Sequence, residues 1–403
     1  MGAAARRVSA KAVSPHREYE PYLEAKWGLK NHWYPAAFSH EVPDKLVKGI
    51  MIAGHEIALR RGKGGKVYAL ADRCAHRGVR MSKKSMPLTD EHLTCWYHGF
   101  TYGLEDGILK TILASPDDAQ IGKVRIRTYP THEKNGMVWV FVGDEDYKPV
   151  PPLTADLPMR VPTDYDPTPV GYILDDNVFV RGIHRTGDSN WRLAVENGFD
   201  PGHILIHYDN TLIAATDRKL ALGWQPNAPE AVELIDLPDG PKGIMNRYDP
   251  HLKLYNYINE NAVTGMKVYG KQEYYTRTSM WVPGVLLVEH WPITDWAQYE
   301  FYVPVDDTHH EYWEIIVGHC NNEEERKVAE FKYTNFFEPL GLYQFNNCDL
   351  FAREAMQDFY EKMDGWNQEQ LCKLDAVVVG WRKLAARFNR GIQEPPRRFT
   401  NPD

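Results

Sequence analysis

The chain has 403 residues, enough for roughly two to four domains, and its 43% hydrophobic and 25% charged residues are typical of a globular protein. A net charge of −8 argues against a large cationic surface for nucleic acids, and no apolar run approaches the length of a membrane-spanning helix. Five cysteines do not make a disulfide framework, so we expect a reducing, cytoplasmic compartment. The sixteen histidines make metal chemistry the first hypothesis to test.

The first part of the chain has the pattern of a β-domain. Residues 1–30 predict a basic tail and a short helix, and residues 31–148 predict a small, mostly antiparallel β-domain. Glycine-rich or Asp-Gly turns separate pairs of apolar, β-rich runs, which is the pattern of hairpins. The predicted strands are 57–61, 67–71, 100–104, 108–112 and 137–142.

The second part mixes strand and helix patterns. Seven prolines between residues 149 and 169 indicate a linker, and the whole of residues 149–403 predicts a larger α+β domain with an antiparallel sheet. Asn322, followed by three glutamates, predicts the start of a helix. The predicted strands are 278–288, 299–305 and 312–317, and the predicted helices are 322–337, 349–362 and 368–388.

Two cysteine–histidine pairs lie in the β-domain. Cys74 and His76 are separated by one residue, and after eighteen further residues Cys95 and His98 are separated by two. A Rieske [2Fe–2S] centre needs two thiolates on one iron and two imidazoles on the other, so two loops that each supply one cysteine and one histidine fit it. Zinc sites typically pair cysteine with cysteine and histidine with histidine, which does not fit this spacing. The second alternative is that these four residues are unrelated positions in the core.

Basic residues surround the first pair. Arg73, Arg77, Arg80, Lys83 and Lys84 follow one another without an intervening acid. Such a patch can speed the encounter with an acidic redox protein, although a plain solvated surface predicts the same pattern.

A second constellation lies in the larger domain. Asp200 and Pro201 are typical of a helix N-cap and first turn, and the helix would carry His203 and His207 four residues apart on one face. Two such imidazoles and a carboxylate make the facial triad of non-haem Fe(II), which leaves positions open for O₂. By itself the pair is weak, but an upstream one-electron centre needs an electron acceptor. Spacing leaves four carboxylates open: Asp349, Glu354, Asp358 and Asp364.

Asp200 has a possible second role. It precedes His203 by three residues, and its carboxylate can accept hydrogen bonds from His203 and from a cluster histidine. The alternative is a plain N-cap, and one side chain can do both.

The two constellations, in this order, resemble the large subunits of Rieske non-haem iron ring-hydroxylating oxygenases, and within that family the carbazole-dioxygenase type. The resemblance covers nearly the whole chain. Its stretches are 31–35, 95–98, 190–207, 286–288, 346–347, 352–356 and 381–385.

The resemblance implies a fold and a set of roles. It implies a β Rieske domain and a catalytic domain of helix-grip fold, in which an antiparallel sheet wraps a long helix. It selects Asp349, five residues before Glu354, as the third iron ligand, and it makes Asp200 the bridge between clusters and irons of neighbouring subunits. The carbazole enzymes of the family are homotrimers, so a homotrimer is expected here.

The resemblance also implies an activity. Electrons from NAD(P)H pass through a reductase and a ferredoxin to the cluster and then to the iron, where O₂ dihydroxylates an aromatic substrate, with angular attack on carbazole as the first candidate. The chain lacks a G-x-G-x-x-G turn before a helix, so the reductase is a separate protein. Substrate contacts are expected from Gly198, Leu286, Val288, Trp291, Phe345 and Asn346.

Three other functions stay open from the sequence. A Rieske monooxygenase or demethylase would use the same metal residues. An electron-transfer Rieske protein is disfavoured by Val79, where membrane-complex relatives carry an extra cysteine. The third is a binding module of helix-grip fold without iron.

Overall fold

The computed structural model describes residues 18–161, 170–216, 232–238, 240–246, 263–265 and 277–395. The predicted basic tail therefore lies largely outside the described residues. The described helices are α1 Glu20–Glu24, α2 Trp191–Phe199, α3 Thr211–Thr216, α4 Glu323–Lys332, α5 Asn346–Lys362, α6 Gly365–Gln368 and α7 Ala376–Phe388. Short 3-10 helices are Ser39–Glu41, Lys63–Gly65, Met81–Lys83, Leu153–Asp156, Pro201–His207 and Lys373–Asp375, and a π-helix spans Tyr333–Phe345.

The first region is built from three small antiparallel sheets. Their orders are β1-β10-β9, β2-β3-β4-β8 and β5-β6-β7. The strands are β1 His32–Phe38, β2 Val47–Ile52, β3 His55–Arg61, β4 Val67–Ala71, β5 His92–Thr94, β6 Phe100–Gly103, β7 Leu109–Ile112, β8 Thr128–Tyr129, β9 Thr131–Lys134 and β10 Met137–Val142. The predicted hairpins and the continuous apolar run at 137–142 are confirmed, because glycine-containing turns and short, β-rich apolar runs specify them locally.

The second region contains a seven-stranded antiparallel sheet in the order β11-β17-β16-β15-β14-β13-β12. Its strands are β11 Val178–Gly187, β12 Val232–Asp236, β13 Lys242–Asn246, β14 Arg277–Trp281, β15 Val285–Glu289, β16 Trp296–Pro304 and β17 His310–His319. Every described neighbour pair in it is antiparallel. The predicted α+β class with an antiparallel sheet is confirmed.

The two faces of this sheet bury different partners because side chains alternate along a strand. Val285, Leu287 and Phe301 share a core with Trp139 of β10, on the face that the first region covers. Leu286 faces the opposite side and joins a core with helices α1, α2 and α7. Helices packed on one face of the antiparallel sheet match the expected helix-grip arrangement.

Three predicted elements were wrong in their bounds. The strand at 278–288 is two strands, β14 and β15, because Pro283 cannot donate to the ladder and Gly284, at φ 137°, turns the chain. The helix at 322–337 ends as an α-helix at Lys332 and continues as the π-helix. Of the helix at 368–388, only 376–388 is one long helix.

The domain boundaries near residues 30 and 148 stay predictions. The N-terminal helix α1 packs on the helices of the second region, where Tyr22 contacts the rings of Trp191 and Trp381 edge to face. Within the described ranges, we find no helix with the length and apolar character needed to cross a membrane.

Candidate active site

Two loops of the first region have the same backbone turn. The N–H of Cys74 and the N–H of Cys95 each donate to the carbonyl five residues further on, at 3.0 and 2.8 Å. Gly78 and Gly99, four residues after each cysteine, donate back to the cysteine carbonyl at 2.8 and 3.0 Å. Both glycines have positive φ, 67° and 73°, which other residues rarely adopt. The sequence therefore folds each cysteine–histidine pair into a matching loop.

The side chains of the two loops converge. The hydrogen bond between the two thiols lowers the pKa of Cys74 to about 6 and raises that of Cys95. The Nδ1 atoms of His76 and His98 lie 3.1 Å apart. The hydroxyl of buried Tyr102 lies 3.3 Å from the Cys74 sulfur.

This geometry fits an iron–sulfur cluster with mixed ligands. Two nitrogen ligands at about 2.1 Å from one metal lie about 3 Å apart, which matches the two imidazoles. The paired thiols fit a second iron. The cysteines are buried and His76 is exposed, so the imidazole end of the site faces outward.

The basic patch is smaller than the sequence indicates. Glu56, which the sequence analysis missed, accepts from Arg73 Nη2 at 2.8 Å and also pairs with Arg80. Arg77, Lys83 and Lys84 remain exposed near the first loop. The signal that could have indicated this pairing was the acidic residue Glu56 at the start of β3.

The second constellation forms a compact site at the 3-10 helix Pro201–His207 and the start of α5. His203 Nε2 and His207 Nε2 each lie 3.5 Å from Asp349 Oδ1. One ligand atom from each of the three residues lies within 4.8 Å of the others. His207 is fully buried and Asp349 nearly so, whereas His203 is about one-fifth exposed, so the site opens on one side.

The buried polar atoms fit a metal. Both ring nitrogens of His207 and Asp349 Oδ1 have no hydrogen-bond partner among the described residues, although such atoms are normally paired. Burial favours a neutral Asp349, but the adjacent His207 and His203 hold its pKa well below the ordinary value. The other candidate carboxylates, Glu354, Asp358 and Asp364, are exposed and lie outside this group.

Asp200 occupies the predicted N-cap but contacts His203 differently from the expectation. Its carboxylate accepts from Gly202 N–H at 2.7 Å, and its backbone carbonyl, not its carboxylate, accepts from His203 Nδ1. That bond leaves His203 Nε2 directed toward Asp349. Burial raises the pKa of Asp200, and the interactions with His203 and with the Gly202 N–H oppose that rise.

Aromatic and apolar side chains pack beside the histidines. The Phe345 ring stacks on His207 at 3.7 Å and 9°, and Trp291 lies 4.8 Å from Phe345. Val288 packs against the same cluster. Leu286 lies in the neighbouring core beside α2, and Asn346 is buried with its amide nitrogen lacking a described partner.

Gly198 lies on α2 against the sheet. A Cβ built on it would stand 1.7 Å from the Tyr302 hydroxyl, so no larger residue fits without movement. The structure thus brings Val288, Trp291 and Phe345 together near His207, whereas Leu286 lies in the neighbouring core and Gly198 lies against Tyr302.

Sequence reasoning missed a buried polar group beside the site. Arg353 is fully buried on α5, and Gln298, Glu300 and Tyr302 face the helices from β16. The available signal was the alternation of polar residues at 298, 300 and 302, which period-two geometry places on one face.

Family models match both regions. A model described as a Rieske [2Fe-2S] domain matches residues 32–130, and one described as a homotrimeric ring hydroxylase matches residues 141–393. The chain belongs to the homotrimeric ring hydroxylases. The family predicted from the motifs is therefore confirmed.

This ring hydroxylase is similar along nearly its whole length to curated oxygenases. It is 40% identical to the terminal oxygenase component of carbazole 1,9a-dioxygenase from Metapseudomonas resinovorans, over 93% of this chain and 94% of that one. Among solved structures, a 2-oxoquinoline 8-monooxygenase component superposes with a TM-score of 0.87 and 48% identity, over 94% of this chain and 90% of that one. A reduced complex of oxygenase and ferredoxin in carbazole 1,9a-dioxygenase gives 0.81 and 39%, with 93% of both chains covered.

Membership in the family confirms the expected cofactors. They are a Rieske [2Fe–2S] cluster and a mononuclear non-haem iron, with O₂ as the co-substrate. The chain is thus an enzyme of the ring-hydroxylating class.

Proposed function

We propose that this ring hydroxylase is the terminal oxygenase of a multicomponent system, in which a reductase uses NAD(P)H and a ferredoxin carries the electrons. The observation that carries the proposal is the group formed by His203, His207 and Asp349, with unpaired buried ligand atoms, in one chain with the paired cysteine–histidine loops. Oxygenase–ferredoxin complexes among the similar structures support the electron donor.

The chain's own residues are assigned the following roles. Cys74, His76, Cys95 and His98 hold the cluster, and His203, His207 and Asp349 hold the iron. When bound, the cluster supplies single electrons and the iron supplies the activation of O₂.

Three apolar side chains, called here the slot, orient a flat substrate beside the proposed iron ligands. Val288, Trp291 and Phe345 present apolar surface, which suits an aromatic ring. Gly198 and Asn346 are candidates for polar contacts, and Leu286 supports the slot from the neighbouring core.

Carbazole is the first candidate substrate. The support is the 40% identity to a carbazole 1,9a-dioxygenase component over 93% of the chain. In this reaction O₂, two electrons delivered by the ferredoxin and two protons place hydroxyl groups on two adjacent ring carbons, one of which is bonded to nitrogen. The resulting hemiaminal opens without further help from the protein.

A second candidate is monooxygenation of a 2-oxoquinoline. Its support is the 48% identity to a 2-oxoquinoline 8-monooxygenase component, which exceeds the identity to the carbazole structures. Both substrates are planar heteroaromatics, so the same slot chemistry suits either.

One experiment separates the candidates. The purified chain is incubated with a ferredoxin, a reductase, NADH and either carbazole or 2-oxoquinoline, and products are identified by mass spectrometry. The first candidate predicts a ring-opened dihydroxylated product from carbazole, and the second predicts a monohydroxylated quinolone. Turnover by the chain with NADH alone would contradict the need for separate electron carriers.

A variant tests the iron site itself. We expect the double variant of His203 and His207 to alanine to keep the visible absorbance of the cluster and to lose mononuclear iron and product. Asp358→Asn, an exposed carboxylate on the same helix as Asp349, is the control and should retain both. Hydroxylation by the histidine variant would refute the assigned iron ligands.

The proposal includes assembly and location. We propose a homotrimer in which Asp200 bridges the cluster of one subunit and the iron of the next, in line with the family description. Asp200→Asn keeps the N-cap oxygen, so it should leave both metals in place while slowing single-turnover oxidation of the reduced cluster. A cytoplasmic location fits the five unpaired cysteines.

A further inference from the structure

A buried arginine stands one helical turn from the metal carboxylate. Arg353 is completely buried on α5, four residues after Asp349. Its Nε donates to Asn197 Oδ1 at 2.6 Å, which ties α5 to α2. The guanidinium carbon lies 4.3 Å from the centre of the Tyr312 ring and 5.0 Å from that of Tyr302. The helix that carries Asp349 is therefore held from two sides.

A buried carboxylate on the large sheet lies opposite the positive charge of Arg353. Glu300 Oε2 lies 3.7 Å from Arg353 Nη2, and it accepts hydrogen bonds from the hydroxyls of Tyr302 and Tyr312 at 2.6 and 2.7 Å. The opposite oxygen accepts from Gln298 Nε2 at 2.8 Å. Glu300 is thus fixed by three donors before Arg353 is counted.

The same chain of contacts reaches the slot. Gln298 Oε1 accepts from Trp291 Nε1 at 2.9 Å. Trp291 packs on Phe345, and Phe345 stacks on His207. The network therefore extends from Glu300 to both sides of the triad: to the helix that carries Asp349 through Arg353, and to His207 through the two aromatic rings.

Charge balance explains why both members are present. An arginine alone would place a positive charge beside a divalent cation, and a glutamate alone would be a second buried anion, each costly when unpaired. Together they are neutral. They can therefore hold α5 in place without opposing the charge of the metal.

We propose that Arg353 and Glu300 form a neutral positioning pair that sets Asp349 for the mononuclear iron. Neither side chain is a ligand, and the pair acts through helix α5 and through Asn197. The inference rests on the proposed function, because it assumes that His203, His207 and Asp349 hold the iron.

The test is a double-mutant cycle read out by Fe(II) affinity. Arg353→Met, Glu300→Gln and the double variant are purified, and Fe(II) affinity is measured by chelator competition, with cluster absorbance as the measure of folding. We expect each single variant to bind Fe(II) about 10–100-fold more weakly, as for residues that orient metal ligands. The double variant restores neutrality, so its loss should be smaller than the product of the two single losses.

The control is a buried pair on the opposite face of the same sheet. Arg277 and Glu289 are 3% and 4% exposed and pair across β14 and β15. Arg277→Met and Glu289→Gln should change stability but leave Fe(II) affinity within about twofold, because they lie on the face away from the helices.

Each outcome decides the proposal. Single variants with intact cluster absorbance and unchanged Fe(II) affinity would overturn it, and so would a double variant whose loss equals the product of the singles. If Arg353→Met does not fold, Arg353→Lys and Glu300→Gln are measured alone, and wild-type affinity in both would overturn it. A wild-type chain that binds no mononuclear iron would instead refute the proposed function.

Discussion

At the scale of single residues, the side chains proposed as metal ligands are held by groups outside the proposed ligand sets. The Tyr102 hydroxyl lies beside the Cys74 sulfur, and the backbone carbonyl of Asp200 orients His203. Such contacts orient the ligands and tune the properties of the metal, so substituting the contacting residues should change measurable properties of each site.

Tyr102→Phe should lower the reduction potential of the cluster. The Tyr102 oxygen already accepts from Ala75 N–H at 3.1 Å, so its own proton is available to the Cys74 sulfur. Losing a hydrogen bond worth about 1 kcal/mol corresponds to a fall of about 40 mV in a one-electron couple. An EPR-monitored redox titration measures this. Tyr68→Phe, in β4, should leave the potential unchanged, because Tyr68 is half-buried and its hydroxyl donates to Glu105 instead. An equal potential in the Tyr102 variant would contradict the assignment.

Gly198→Ala should destabilise the protein and impair hydroxylation. Its Cβ would stand 1.7 Å from the Tyr302 hydroxyl, and that hydroxyl is held on Glu300. Overpacking of this kind costs about 1–3 kcal/mol, which urea denaturation detects. Gly341→Ala is the matched control, since a Cβ there meets nothing within 4 Å. If the two variants had the same free energy of unfolding, Tyr302 would have to move aside without loss of stability, and the prediction would be wrong.

At the scale of elements, one histidine joins the first region to the large sheet. His184 of β11 lies between Glu311 of β17, at 2.5 Å, and Glu41 after β1, at 3.0 Å. Its ring stacks on Trp313, and Lys48 pairs with Glu41. Although burial opposes the charge, the two carboxylates raise the pKa of His184 to about 9.

The junction should therefore weaken in alkali. The folded pKa of His184 lies above its ordinary value of 6.5, so its contribution is complete below about pH 6.5 and is lost as the pH rises through about 9. The side chain is 21% exposed, so solvent screening reduces the expected loss to about 1–2 kcal/mol. Urea denaturation at pH 6.5 and pH 9.5 measures it. The decrease in the free energy of unfolding between the two pH values should be smaller in His184→Gln. An identical decrease in that variant would mean that other titrating groups cause it.

At the scale of the whole molecule, the large sheet lies between the first region, which carries the loops proposed for the cluster, and the helices that carry the residues proposed for the iron. The first region, with the cluster loops, lies against one face, where Trp139 contacts Phe301 at 5.3 Å. The residues proposed for iron lie with α5 on the helical side. An electron would have to cross a packed sheet to stay within one subunit, whereas a trimer offers a neighbour.

Mixed trimers test this arrangement. Cys95→Ala removes a proposed cluster ligand, and His207→Ala removes a proposed iron ligand, so each homotrimer should be inactive. Co-expressed in equal amounts, the two chains should recover about a quarter of wild-type activity, because about one junction in four pairs an intact cluster with an intact iron. Inactive mixed trimers with normal metal contents would mean that electrons stay within one subunit.

The local motifs and the helical or hairpin elements around them were predictable from the sequence. Cys74 with His76, Cys95 with His98, and His203 with His207 are each a few residues apart, so one turn or loop brings them together. The same holds for Asp200 as an N-cap and for the hairpins with their glycine turns. These features depend on the geometry of residues that are close together in the sequence, so the spacing of the residues predicts them.

Only the tertiary structure decided which distant side chains meet. Spacing left four carboxylates open, and the crossing of α5 over the sheet brings Asp349 alone of them to the histidines. The same crossing buries Arg353 against Glu300, a contact no local pattern indicates. The strand at 278–288 was split by Pro283 and Gly284 against its apolar pattern. Contacts between distant residues depend on how elements pack, and packing is a property of the whole chain.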